Sequence, residues 1–209
     1  MGWLTRIRGE AEGETRAVED AEGAGAPSVV ERASPGLSAL FGLMKADGGH
    51  SILDLGEGNN RQMEALAPYA RLIRFIGLVP GTGDAAAAAD PSVLPEHPQY
   101  PYDIVLAWGV LDRLGPETRQ ALMRRLTAIT APEARMYATV SGPGVAMVQP
   151  VRSTLLEVGR VEEEAVGEPR PTGPQLLPAQ VEKLLSPWKV SQAFSLRVGM
   201  REYVAKKGG

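Results

Sequence analysis

Cysteine is absent from this chain of 209 residues, and histidine is limited to His50 and His97. The first absence excludes disulfides, thiolate metal sites and a cysteine nucleophile. The second puts a histidine-rich metal site out of reach. An excess of basic charge is also missing: 22 Lys and Arg stand against 25 Asp and Glu, a net charge of −3. That argues against a general polyanion binder, so nucleic acid is not an expected partner. No apolar run approaches the roughly 18 residues that span a bilayer. "MGWLTRIRG" is followed at once by acidic and glycine residues, unlike a secretory signal. Arg6 stands where a myristoylation pattern needs Ser or Thr. The expected location is the cytoplasm.

What is present is a 44% hydrophobic fraction, enough for a sizeable core in one domain with additions or at most two small ones. Residues 10–33 are acidic, rich in Gly and Ala and free of aromatics. Such a segment buries too little apolar surface to offset its ordering entropy. Residues 1–33 are therefore read as a flexible acidic tail with a short amphipathic start. Trp3, Leu4 and Ile7 beside Arg6 and Arg8 form a patch that reads either as a frayed terminus or as a hook for a protein partner.

The folded region, 34–209, begins with an N-cap and a first-turn proline at Ser34-Pro35. Leu37, Leu40, Phe41 and Met44 recur at helical spacing. "SILDL" (51–55) is a short apolar strand. Residues 60–70 predict a helix with Met63, Leu66 and Ala67 on one face, and 71–79 a second strand. Residues 81–101 hold an alanine run and clustered prolines, giving a short helix near 84–89 and an irregular loop. Residues 102–110 form a strand, 116–130 a helix with Leu122, Leu126 and Ile129 inward, and 134–142 a strand. Residues 143–175 read as a loop or insertion with one short helix or hairpin. Residues 178–188 predict a helix using Val181, Leu184, Leu185 and Trp188. An antiparallel pair around Gly199 closes the chain. The alternation implies an α/β fold: a doubly wound, mostly parallel Rossmann-like sheet with a C-terminal antiparallel hairpin.

In such a sheet, ligands bind outside the carboxyl ends of the strands where the strand order switches. Asp54, Gly56, Glu57 and Gly58 fall between the first strand and the first crossover helix of that sheet. A GxG spacing alone is weak evidence; its position is better evidence.

The succession "YDIVLAWGVLDRL", a helix, "ARMYATV", a long loop, "PAQVEKLL" and the hairpin ending "REYVAKK" resembles the class I S-adenosylmethionine-dependent methyltransferases from about Ser34 to Lys207. Order and spacing carry the resemblance. It implies that Asp54 reaches the methionine ammonium of S-adenosylmethionine and that Gly56 and Gly58, with Glu57 between them, face its ribose and methionine. It places Ala107 and Trp108 at the border of methionine and substrate, and makes Asp103 a structural aspartate. The acceptor it implies is a small molecule or a protein.

Three departures weaken that implication. The loop has Asn60 where the family commonly has a third glycine; Asn tolerates a left-handed backbone better than most residues. "IGLVPG" (76–81) lacks the carboxylate that accepts both ribose hydroxyls, a loss of roughly 1.5–3 kcal/mol per hydrogen bond to charge. Only residues 80–101 separate two strands where the family fits a helix and a third strand with an acid near the adenine; Asp84 and Asp90 are candidates to replace that acid, but neither follows a convincing strand.

Candidate acids and bases are few: Asp112, Arg113 and, more remotely, Tyr137. Asp112 also reads as a helix cap or surface residue, His50 as a surface turn residue, His97 as a loop residue within reach of a ligand, and Arg124, Arg125 and Glu162–Glu164 as solvated faces. Trp108 and Trp188 read as packing residues. Three functions stay open: an active methyltransferase, a catalytically inactive scaffold or accessory subunit docking through its N-terminal segment, and a nicotinamide-binding oxidoreductase. The last is disfavoured because the third glycine of its fingerprint falls at Arg61.

Overall fold

The computed structural model describes residues 29–78, 90–142, 147–166, 168–171, 176–196 and 199–208. The elements in order are β1 (Val29–Ala33), α1 (Pro35–Gly42), β2 (His50–Asp54), α2 (Asn60–Leu66), β3 (Ala70–Phe75), a short 3-10 turn (Pro91–Val93), β4 (Tyr102–Ala107), α3 (Val110–Arg113), α4 (Pro116–Ile129), β5 (Thr130–Ser141), β6 (Met147–Val148), β7 (Val151–Glu157), β8 (Arg160–Ala165), β9 (Arg170–Pro171), α5 (Pro178–Leu185), β10 (Trp188–Ser195) and β11 (Met200–Lys207).

Six strands form the main sheet in the order β10-β11-β5-β4-β2-β3. β2, β3, β4 and β5 run parallel, while β11 is antiparallel to β5 and β10 antiparallel to β11. Side chains alternate across this sheet with period two. Leu53, Val105 and Met136 face α4 and α5, in a core with Leu122, Leu126, Val181 and Leu185. Ile52, Ile104, Leu106 and Tyr137 face α1 and α2, in a core with Leu37, Leu40 and Leu66. The chain steps from β2 outward to β3, then returns to place β4 on the other side of β2. The switch in strand order therefore lies between β2 and β4, at Asp54 and Ala107.

Among the described residues no strand lies between β3 and β4 in the chain, so β3 is the sheet edge. This agrees with the shortness of 80–101. The helix expected near 84–89 lies outside the described residues.

The structure corrects four expectations. Residues 29–33, assigned to the tail, form β1, which pairs antiparallel with β8 and, through it, β7 in a separate three-stranded sheet. The acidic, Gly- and Ala-rich stretch before it hid a strand whose partner lies about 130 residues on. Residues 1–28 lie outside the described residues. In α2 the inward face is Gln62 and Leu66, both fully buried, whereas Met63 is half exposed and Ala67 is exposed. α5 stops at Leu185, and Trp188 opens β10. The acidic triplet is not a plain solvated face: Glu162 pairs with Arg61, Glu163 with Arg32 and Glu164 with Arg152.

Candidate functional site

β2 ends in the buried run Leu53-Asp54-Leu55, and the chain then turns through Gly56 and Gly58 into α2. Asn59 is the N-cap: its side chain accepts from the Gln62 backbone N–H at 2.9 Å, and its Nδ2 donates to Thr154 Oγ1 of β7 at 2.8 Å. Asn60 is the first helical residue, so the loop needs no left-handed residue there. The paired asparagines serve the helix start rather than replacing a glycine.

The loop is bonded on both sides. The Leu55 N–H donates to Leu106 O at 2.9 Å, Gly77 N–H to Gly56 O at 3.0 Å and Leu78 N–H to Leu55 O at 2.8 Å. Gly77 meets this demand with φ of 64°, a backbone that glycine adopts without steric penalty.

Asp54 is fully buried. Its Oδ1 accepts from the Gly56 N–H at 2.8 Å and from the Trp108 indole N–H at 2.8 Å, and its Oδ2 accepts from Gln62 Nε2. Gln62 is itself oriented, because its Oε1 accepts from the Leu155 N–H of β7 at 3.0 Å. Burial pushes the Asp54 carboxyl up to about 7, against the pull of those three donors. Both carboxylate oxygens are thus engaged within the protein.

Trp108 follows β4 and lies over the loop. A Cβ on Gly56 would come within 3.0 Å of Trp108 Cδ1. Beneath it the Tyr137 ring stands edge-on at 5.2 Å between centroids. Gly109, with φ of 59°, turns the chain from Trp108 into α3, and its N–H donates to Thr139 Oγ1 at 2.6 Å. On the far side of the loop, the Phe75 ring lies so close to Gly58 that an added Cβ would meet Cγ and Cδ2 at 2.6 Å. Glu57 accepts from Arg152 Nε of β7 at 3.0 Å, and Arg152 also binds Glu164 at 2.8 Å. Ala107 is buried beside Trp108.

The sequence-derived residues Asp54, Gly56, Glu57, Gly58, Ala107 and Trp108 therefore do gather at the strand switch, but Asp54 and Trp108 bond to each other. Asp103 is structural: its Oδ2 accepts from the Ser51 N–H at 2.7 Å. Asp112 is neither a cap nor a surface residue; it accepts from the Ser141 N–H at 2.6 Å and Oγ at 3.0 Å. Burial raises its carboxyl, against the Ser141 hydrogen bonds and the nearby Arg119 and Arg113. Tyr137 is wholly buried and donates to Glu202 Oε1 at 2.8 Å. Burial, then the Glu202 charge, pushes its phenol far up, which removes it as a base. His50 is the first residue of β2 rather than a turn residue, and His97 is exposed. Among the described residues no group of His, Asp and Glu could hold a metal, and no helix is long and apolar enough to cross a membrane.

Sequence reasoning missed Gln62, Phe75 and Arg152. A polar residue four positions before Leu66 on an inward helical face was the available signal for Gln62. Arg152 and Phe75 gave none, because their partners are set by tertiary packing.

No family model matches this chain, and no curated protein matches it in sequence. Solved structures do match in shape. The 1,6-didemethyltoxoflavin-N1-methyltransferase of Burkholderia thailandensis, with bound 1,6-didemethyltoxoflavin and S-adenosylhomocysteine, is 15% identical with a TM-score of 0.54, over 84% of this chain and 77% of its own. An S-adenosylmethionine-dependent methyltransferase from Clostridium acetobutylicum is 10% identical with a TM-score of 0.54, over 83% and 92%. Another from Mesorhizobium loti is 13% identical with a TM-score of 0.52, over 81% and 96%. The chain has the fold of the class I S-adenosylmethionine-dependent methyltransferases.

Proposed function

We propose that this chain is a methyltransferase-fold scaffold whose glycine loop has become a structural joint, and that it does not catalyse methyl transfer. The observation that carries this reading is the closure of Asp54. A carboxylate that is to receive the methionine ammonium needs an oxygen facing the ligand, and here both oxygens are engaged by Gly56, Gln62 and Trp108. The indole occupies the face of Gly56 that a ligand would approach. The segment after β3 adds no carboxylate among the described residues, where Ile76, Gly77 and Leu78 follow Phe75. These residues do not fit the methionine or ribose ends of S-adenosylmethionine. Fold alone does not assign an activity, because chemistry belongs to the site. On this reading the protein acts through its surfaces, as an accessory subunit or scaffold.

Calorimetric titration of the purified chain with S-adenosylmethionine and S-adenosylhomocysteine tests this. The expected result is no binding up to millimolar ligand. Micromolar binding that disappears on changing Gly56→Val would overturn it and restore an enzyme acting on a small molecule or a protein.

A further inference from the structure

β7 holds three side chains of the Asp54 loop and α2 from outside the main sheet. Arg152 Nε donates to Glu57 at 3.0 Å, Asn59 Nδ2 donates to Thr154 Oγ1 at 2.8 Å, and the Leu155 N–H donates to Gln62 Oε1 at 3.0 Å. β8 adds a fourth hold: Arg61 Nη1 of α2 donates to both oxygens of Glu162 at 2.8 Å. The hold on Gln62 bears directly on the site. Gln62 donates to Asp54 Oδ2 through the other end of the same amide, so β7 orients the group that occupies that oxygen.

The sheet is fastened unequally. On its inner side, Arg32 of β1 joins Glu163 of β8 to the fully buried Glu202, and the Ser34 N–H donates at 2.7 Å to the carbonyl of Gly159, in the turn between β7 and β8. Against the Asp54 loop the ion pairs are open to water: the Arg152 and Glu57 side chains are each 38% exposed, and that of Arg61 is 58% exposed. Salt screens exposed pairs strongly and buried pairs much less. The contacts on the loop therefore yield before those on Glu202.

We propose that the β7–β8 hairpin is a strap, hinged at β1 and buckled over the Asp54 loop by Arg61 and Arg152, and that unbuckling it releases Gln62 and opens Asp54 Oδ2. The three successive glutamates of β8 divide the work. Glu163 takes Arg32 and serves the hinge, while Glu162 takes Arg61 of α2 and Glu164 takes Arg152 of β7 and serve the buckle. Whether the site is shut is thus set by charge at the surface of the hairpin. This role rests on the reading of Asp54 as a closed joint and adds what keeps it closed.

Amide hydrogen exchange, followed residue by residue by NMR on the full chain, tests the strap. The reporters are the N–H groups of Gly56, Gln62 and Leu155, each bonded to a side chain of this cluster. Combining Arg61→Gln with Arg152→Gln is expected to speed their exchange about three- to tenfold, the scale of a few partly exposed ion pairs. About 1 M salt should do the same to the unaltered chain. Amides of β4 and β5 should keep their native rates, and so should the reporters when both arginines become lysine. Native-rate exchange at the reporters in the glutamine variant or in salt overturns the proposal. Equal acceleration in β4 and β5 also overturns it, by showing global loss of stability, as does a lysine variant as fast as the glutamine one. Micromolar binding of S-adenosylhomocysteine to the unaltered chain is a separate readout, and it would overturn the closed joint together with its strap.

Discussion

Trp108 and Asp54, 54 residues apart in the chain, are joined by a 2.8 Å hydrogen bond from the indole N–H to a carboxylate that no solvent reaches. Trp108→Phe keeps an aromatic edge for Tyr137 but removes that donor. Above pH 7, where the Asp54 carboxyl is ionised, a hydrogen bond to the charged group contributes roughly 1.5–3 kcal/mol. The variant is expected to lose stability of that order, read as a lower urea midpoint at an unchanged slope. Unaltered stability would mean that Asp54 does not depend on the indole.

Gly58 and Phe75 form a second closure of the loop. The atoms a Cβ would strike include the root of the ring, which cannot swing away. Gly58→Ala is expected to cost about 1–3 kcal/mol, as overpacking does. In a Phe75→Leu background the same change should cost less. A double-mutant cycle in urea measures the coupling, and additive losses would contradict the contact.

Arg32 carries the buried Glu202. Its Nη1 donates to Glu202 Oε1 at 2.7 Å and its Nε to Glu163 at 2.7 Å. Arg32→Met leaves Glu202 buried without its cation, a loss expected at about 3–5 kcal/mol. Glu163→Gln, which removes the partly exposed end of the same pair, should cost clearly less. Equal losses from the two would place the energy in the outer pair instead.

Asp54 gives a pH signature. In the folded chain its carboxyl titrates at about 7, above its ordinary value of 3.8. Between those values the folded state holds a proton that the unfolded state has released. The stabilisation is full below about pH 4 and is lost as pH rises through 7. The stability of the chain minus that of Asp54→Asn, measured by denaturation at each pH, should therefore fall from pH 4 to pH 7. A flat difference would indicate a carboxyl that stays ionised throughout.

The sheet was legible because its strands are short apolar runs bounded by glycine and proline, and its helices carry Leu at helical spacing. Asp54, Gly56 and Gly58 could be found because they follow such a run directly. The closure of the site could not be found this way. Trp108 and Gln62 reach Asp54 from two separate elements and Leu155 of β7 orients Gln62, and no local pattern pairs them. β1 failed for a related reason. Every residue of "VVERA" is exposed or charged, and the ion pairs that tie it to β8, Arg32 with Glu163 and Arg160 with Glu31, join residues about 130 apart.

Ser34 donates to Glu202 at 2.7 Å across 168 residues, and the same carboxylate accepts from the Gly36 N–H at 2.7 Å. The start of α1 is therefore completed by a residue made 168 positions after Ser34. At about 5–20 residues per second, a ribosome takes roughly ten to thirty seconds to travel from one partner to the other. During that interval the first helix lacks the anion that secures it, and its apolar face waits on a sheet whose central antiparallel strand does not yet exist. A nascent chain of this protein therefore carries α1 without its buried carboxylate partner until β11 has been made.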